Sequence, residues 1–409
     1  MTGLERQFLH ILKAAIQGQA AQMPEHLSQQ DCRALLAMAQ THRVLPLFYE
    51  AVYTWDAFRD DPMHAALRQQ IRQQVLAQTL RTNDFLGLNN RLVSAGLTPL
   101  VVKGIICRDL YPYPDHRPSG DEDVLIPPAQ LEKCRAIFED YGLQTAEDPE
   151  SYEIPYRKPG SPLFIELHKS LFPPDSEAYG ELNRLFTGVC DRAISLTVQG
   201  CQVWTMDPSD HLLYLICHAF KHFLHSGFGI RQLCDIILFA NRYGKEIHWQ
   251  WVMDGCRSIR AEKFAAALFQ IGKKYLVFDP EKACYPAQWQ QLSVDETAML
   301  EDLLCGGLYG DNTMSRIHSS SITLDAVAAH KQGKKSKPSI LLSAFPPAEK
   351  LYKRYPYLKE KPYLLPVAWG SRILTYRSQS RRNPDNSAAD ALKIGKNRVA
   401  LMKQYEIIP

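Results

Sequence analysis

Long apolar runs are scarce in this 409-residue chain. The longest, residues 212–223, is interrupted by His218, Lys221 and His222, and it falls short of the roughly 20 apolar residues a membrane-crossing helix needs. The opening Met1-Thr2-Gly3-Leu4-Glu5 has neither the basic start nor the apolar centre of a secretory signal. A cytoplasmic protein with no transmembrane segment is therefore expected. Paired cysteines are absent as well: the ten cysteines stand singly, none at C-x-x-C spacing. That excludes a zinc ribbon or a dithiol redox centre and leaves reduced, mostly buried thiols.

Net charge is nearly absent, at +3 from 47 basic and 44 acidic residues, but the balance is uneven. Residues 331–409 hold 17 Lys and Arg against 5 Asp and Glu, which leaves 30 against 39 for residues 1–330. A basic tail on an acidic body is suited to a polyanion such as a triphosphate, a nucleic acid or an anionic membrane surface, or else is a solvated face. At this length two or three domains are expected. Residues 1–97 read as helices, 98–207 as an α/β unit, 208–310 as a second helical region, and 311–409 as a basic region of loops with a terminal helix near 388–405. The expected fold class is α+β, helix-rich, with a small mixed sheet. Residues 151–162 read as a surface loop, and residues 312–321 and 379–386 as polar linkers.

Chemistry concentrates in residues 101–126, VVKGIICRDLYPYPDHRPSGDEDVLI. A short buried strand ends at Lys103-Gly104. A loop carrying Arg117 and Gly120 then leads to Asp121-Glu122-Asp123 at the head of a second apolar strand. Side chains alternate along a strand, so Asp121 and Asp123 share one face and Glu122 takes the other. Two carboxylates held that close repel unless a cation lies between them. A third, Glu166, interrupts the apolar run Leu163-Phe164-Ile165-Glu166-Leu167-His168, where a charge needs a partner. On the helix that follows, His211, His218, His222 and His225 form a stripe at 3.6-residue spacing. No Glu follows His218 as in metalloprotease helices, so the stripe reads as a cleft wall with Lys221 rather than a zinc site. Arg231 and Asp235 read as an i,i+4 ion pair.

In order, K-G, R-x-x-x-D-x-D and E-L-H resemble the uncharacterised bacterial nucleotidyltransferase-like proteins of the polymerase-beta superfamily, over most of the chain. The resemblance implies a catalytic unit at 98–207 with a sheet of nucleotidyltransferase type. Asp121, Asp123 and Glu166 would be the catalytic and metal-binding carboxylates, with Mg²⁺ or Mn²⁺ as cofactor. Lys103, Gly104, Arg117, Gly120, His168 and Lys221 would contact a nucleoside triphosphate such as ATP. Replacing any of the three carboxylates should abolish transfer while sparing or raising stability, through relief of repulsion. The chain departs from the superfamily in lacking Gly-Ser after the first strand, in Glu122, where an apolar residue is more usual, and in Lys169, where an aromatic is common. The implied reaction moves a nucleoside monophosphate to a hydroxyl on RNA, protein or a small molecule, with the basic C-terminal region available to an RNA or protein acceptor. Lys334, Lys335, Lys353 and Arg354, beside Tyr352, Tyr355 and Tyr357, are the expected nucleic-acid contacts. The alternatives are a non-catalytic nucleotide-binding or interaction protein on the same fold, and a D-x-D glycosyltransferase.

Overall fold

Capping boxes start the first two helices. Thr2 and Glu5 close α1 (Gly3–Ile16), and Ser28 and Asp31 close α2 (Gln29–Thr41); each satisfies amide groups that a helix start leaves without partners. The computed structural model describes residues 1–59, 62–146, 151–306, 313–333, 345, 347–352, 355–382 and 387–409. Phe8, Ile11 and Leu12 of α1 bury against α3 (Leu45–Val52), where Phe8 stacks on Phe48 at 5.4 Å. His42 lies in the same core, its imidazole pushed down to about 4 by burial and hence neutral. After the short α4 (Asp56–Arg59), the 33-residue α5 (Pro62–Ser94) carries the chain to the sheet.

That sheet has four strands in the order β1 (Leu100–Val101), β2 (Glu122–Leu125), β4 (Phe164–His168), β3 (Glu153–Arg157). β2 and β4 run parallel while the outer pairs are antiparallel, so the small mixed sheet in a helix-rich fold is present. The short α6 (Gly104–Arg108) follows β1, and α7 (Leu131–Asp140) packs Phe138 edge-on to Tyr156 at 5.0 Å behind the sheet. β3 corrects the expected loop at 151–162. Ile154 and Tyr156 alternate inward, and Pro155 is tolerated because β3 is an edge strand. A separate hairpin, β5 (Ile194–Val198) and β6 (Cys201–Thr205), turns at Gln199 and Gly200, both with positive φ.

The helix α8 (Pro208–His225) roofs the other face of the sheet. Its His211 Nε2 lies 2.8 Å from the Val102 carbonyl, and Thr205 donates its hydroxyl to Val101 O at 2.6 Å. These bonds pin the roof to the end of β1. Beyond it lie α9 (Ile230–Tyr243), α10 (Trp249–Ser258), α11 (Glu262–Tyr275), the short α12 (Ala287–Gln290) and α13 (Glu296–Gly306).

The polar stretch 312–321, expected to be a linker, belongs from Met314 onward to the helix α14 (Met314–Lys331). Thr313 caps it, and the hydroxyls of Ser319, Ser320, Ser321 and Thr323 fold back onto carbonyls three residues earlier, so polar side chains satisfy themselves inside the helix. α15 (Leu365–Arg382) likewise absorbs residues 379–382, whereas 383–386 lie outside the described residues. α16 (Ala388–Gln404) packs against α14. Its Arg398 donates to the Phe223 and His225 carbonyls at the C-terminal end of α8, where a cation is favoured, and pairs with Asp302 beside Arg316. Buried side chains from Phe8 to Ile408 join in one hydrophobic core. Lys334, Lys335, Lys353 and Arg354 lie outside the described residues.

Candidate active site

Parallel pairing sets Asp123 beside Glu166 and Leu125 beside His168. Period-two alternation then turns Asp123, Glu166 and His168 to one face of the sheet, with Glu153 of β3 opposite His168 on that face. Asp123 Oδ1 lies 3.3 Å and Glu166 Oε2 3.8 Å from His168 Nε2. One ligand atom from each of these three residues falls within 4.8 Å of the others. Lys103, at the end of β1, reaches in from the roof side to 2.9 Å from Asp123 Oδ1 and 3.1 Å from His218 Nε2. The cleft between sheet and roof holds about 300 Å³; Lys103, Asp121, Asp123, Tyr152, Glu153, Glu166, His168, Tyr214, His218, Lys221 and His222 line it.

Charge divides this cleft into an acidic floor and a basic wall. Burial, then Asp123, Asp121 and Glu153, push the Glu166 carboxyl up to about 8. Burial and Asp123 raise Asp121 too, against Lys103. Burial also opposes ionisation of Asp123, but Lys103 and His168 outweigh it and hold that carboxyl well below the usual range. On the wall, burial and Lys103 lower Lys221, which makes no hydrogen bond or ion pair with a described residue. A divalent cation fits the floor. Its donors are two carboxylates and an imidazole, burial and the neighbouring carboxylates keep one of those carboxylates from ionising, and the buried Asp123 Oδ2 has no hydrogen-bond donor among the described residues.

A pH dependence follows for the metal-free protein. Glu166 binds its proton more tightly folded than unfolded, where its value is near 4.5, so the native state gives up stability as pH rises. Buried histidines such as His42 and His211, both lowered to about 4, act in the opposite direction below about pH 6.5, so the contribution of Glu166 is read as a difference. The melting temperature of the wild type relative to Glu166→Gln should fall between about pH 5 and pH 8, at up to about 1.4 kcal/mol per pH unit. A difference that does not change with pH would remove Glu166 as the cause.

Glu122 faces away from the cleft, and its partners explain the unusual turn at Lys103-Gly104. Glu122 Oε2 accepts the Ile105 N–H at 2.9 Å, while Oε1 lies 2.6 Å from Arg108 Nη2. Both side chains are essentially inaccessible. Gly104 has φ +39°, and a Cβ there would collide with the Glu122 carboxylate, so glycine is required twice over. Arg108 continues to the Ser119 hydroxyl at 2.5 Å, tying this pair to the loop before Asp121. The Ile105 amide of the turn after β1 is thus occupied by the chain's own carboxylate.

Other expected contacts fall differently. Arg117 grips both oxygens of Asp235 on α9, which also accepts the Tyr111 hydroxyl at 2.8 Å, and with Lys103, Gly104, Asp121 and Asp123 it lines a small pocket beside the cleft. Arg231 donates to Pro118 O, while Arg117 takes both oxygens of Asp235. Gly120 opens onto a separate depression of about 680 Å³ beside Arg81, Arg157 and Lys158, not onto the carboxylate cleft. His168 turns toward Asp123 and Glu166, within the three-residue group that could hold a cation. Sequence reading missed Tyr152 and Glu153; the inward alternation of Ile154 and Tyr156 was the available signal.

No curated protein matches the chain. Among solved structures, an antigenic nucleotidyltransferase-like protein from Paracoccidioides brasiliensis aligns at 15% identity over 50% of this chain and 95% of its own, with a TM-score of 0.30, too low to carry an argument. The model of a family described as uncharacterised nucleotidyltransferase matches residues 28–276. That span exceeds half the chain and contains the whole sheet, the roof helix and every residue of the cleft, and the chain belongs to this uncharacterised nucleotidyltransferase family.

Proposed function

We propose that the protein transfers a nucleoside monophosphate from a nucleoside triphosphate to a hydroxyl acceptor, releasing pyrophosphate. The observation that carries this is the pairing of Asp123 with Glu166 across parallel strands, with His168 on the same face and Lys103 and Lys221 opposite. Asp123, Glu166 and His168, with Asp121 adjoining, would hold Mg²⁺ or Mn²⁺; when bound, the cation neutralises triphosphate charge and acidifies the acceptor hydroxyl. Lys103 and Lys221 hold the phosphates from the α8 side, because Glu122 already fills the turn after β1. Glu166, once ionised, takes the acceptor proton as the hydroxyl oxygen bonds to the α-phosphorus and the bond to pyrophosphate breaks. In this reading residues 98–207 are the catalytic unit, 1–97 its helical support, 208–310 the region that includes the roof, and 311–409 a basic appendage. No described helix is long and apolar enough to cross a membrane, and we assign the protein to the cytoplasm, where nucleotides are abundant.

Ligand-dependent melting tests this. Mg²⁺ with ATP should raise the wild-type melting temperature by mass action, by about 2.7 kcal/mol of stability at a hundredfold excess over Kd. Lys221→Ala should retain most of the Mg²⁺ effect alone and lose most of the ATP effect. Equal ATP shifts in the two proteins would take Lys221 out of phosphate binding. A second reading, nucleotide sensing without turnover, has one observation in its favour, the occupation of the turn amide by Glu122. It predicts ATP-dependent stabilisation with no pyrophosphate release.

A further inference from the structure

The described residues between 347 and 375 include a hydrophobic cluster of their own. Leu351, Leu358 and Ala368 form a small core apart from the main one, with Tyr352, Tyr355, Leu364, Leu365 and Trp369 around it. Those three and Ala348 are the four buried hydrophobic side chains among the described residues of the segment, a small core for its length. The outside is apolar where a solvated segment would be polar: Tyr363 is 73%, Val367 60% and Leu374 67% exposed. Val367 and Leu374 are seven residues apart, two turns along α15, and share its outer face. In the sequence, residues 353–384 carry eight Lys and Arg against Glu360 alone.

We propose that this segment docks on an anionic lipid surface, with Tyr363, Val367 and Leu374 entering the interface and the exposed Lys359 and Lys361 facing the headgroups. A lipid interface meets both halves of the pattern, since it offers apolar depth beneath negative charge. A nucleic acid matches the charge, and the exposed Tyr357 and Tyr363 could stack on bases, but it has no complement for exposed Val367 and Leu374. The inference does not depend on the catalytic reading, because these three side chains lie outside the cleft.

Co-sedimentation of the full chain with vesicles of pure phosphatidylcholine, and of equimolar phosphatidylcholine and phosphatidylglycerol, tests it. Binding should occur on the anionic vesicles, weaken at high salt, and be slight on the neutral ones. Val367→Ser and Leu374→Ser should each weaken it about tenfold, and Lys361→Gln about fivefold, while the ATP-dependent melting shift stays as in wild type. All three side chains are wholly or partly accessible, so the fold should tolerate the changes. Absence of binding, equal binding to both vesicles, or indifference to Val367→Ser and Leu374→Ser would overturn the proposal. So would tighter binding to a single-stranded oligoribonucleotide that strips the protein from the vesicles.

Discussion

Asp121→Ala, Asp123→Ala and Glu166→Ala should each reduce nucleotidyl transfer by about three orders of magnitude or more, the scale of losing charge stabilisation aimed at a transition state. Their effects on stability should diverge. Glu166 is held protonated near neutral pH by burial and by Asp123, so its removal relieves a cost and should raise the metal-free melting temperature. Asp123 neutralises Lys103 and bonds His168, so Asp123→Ala strands a cation beside buried groups and should lower it. This corrects the expectation, drawn from repulsion alone, that all three changes spare or raise stability. Activity assays beside calorimetric scans check it; a rise for Asp123→Ala would mean that Lys103 contributes nothing to holding that carboxylate.

Arg117→Ala should destabilise the protein by about 3–5 kcal/mol while leaving ATP affinity nearly unchanged. The guanidinium and the Asp235 carboxylate are each about 5% exposed, and truncating one leaves the other buried without its charge partner. Arg117→Lys should recover little, because an ammonium cannot reproduce the two-pronged contact. Denaturant unfolding measures the loss, and nucleotide titration measures affinity. A stable Arg117→Ala with weakened ATP binding would return Arg117 to the phosphates.

These two cases show where the sequence was legible. Asp121 and Asp123 could be assigned to one face because strand alternation is strictly local, and Glu166 stood out because an apolar strand rarely carries an uncompensated charge. Arg117 could not be assigned to Asp235, 118 residues away, because no local pattern reports a partner brought in by α9. β3 was hidden by Pro155, which argues against a strand unless the strand is known to be an edge. α14 was hidden by its serines, whose back-bonding to preceding carbonyls only the folded helix reveals. The role of Glu122 was equally out of reach: only the closed turn shows its carboxylate on the Ile105 amide with Arg108 behind it.

Transfer of a nucleoside monophosphate is decided by the position of the label. Protein, Mg²⁺ and a cell extract are incubated in parallel with ATP labelled at the α-phosphate and at the γ-phosphate, with Asp123→Ala as control. We expect α-label in an acceptor, none from γ, and no transfer by Asp123→Ala. Transfer of the γ-label, or α-label transfer undiminished in Asp123→Ala, would contradict it.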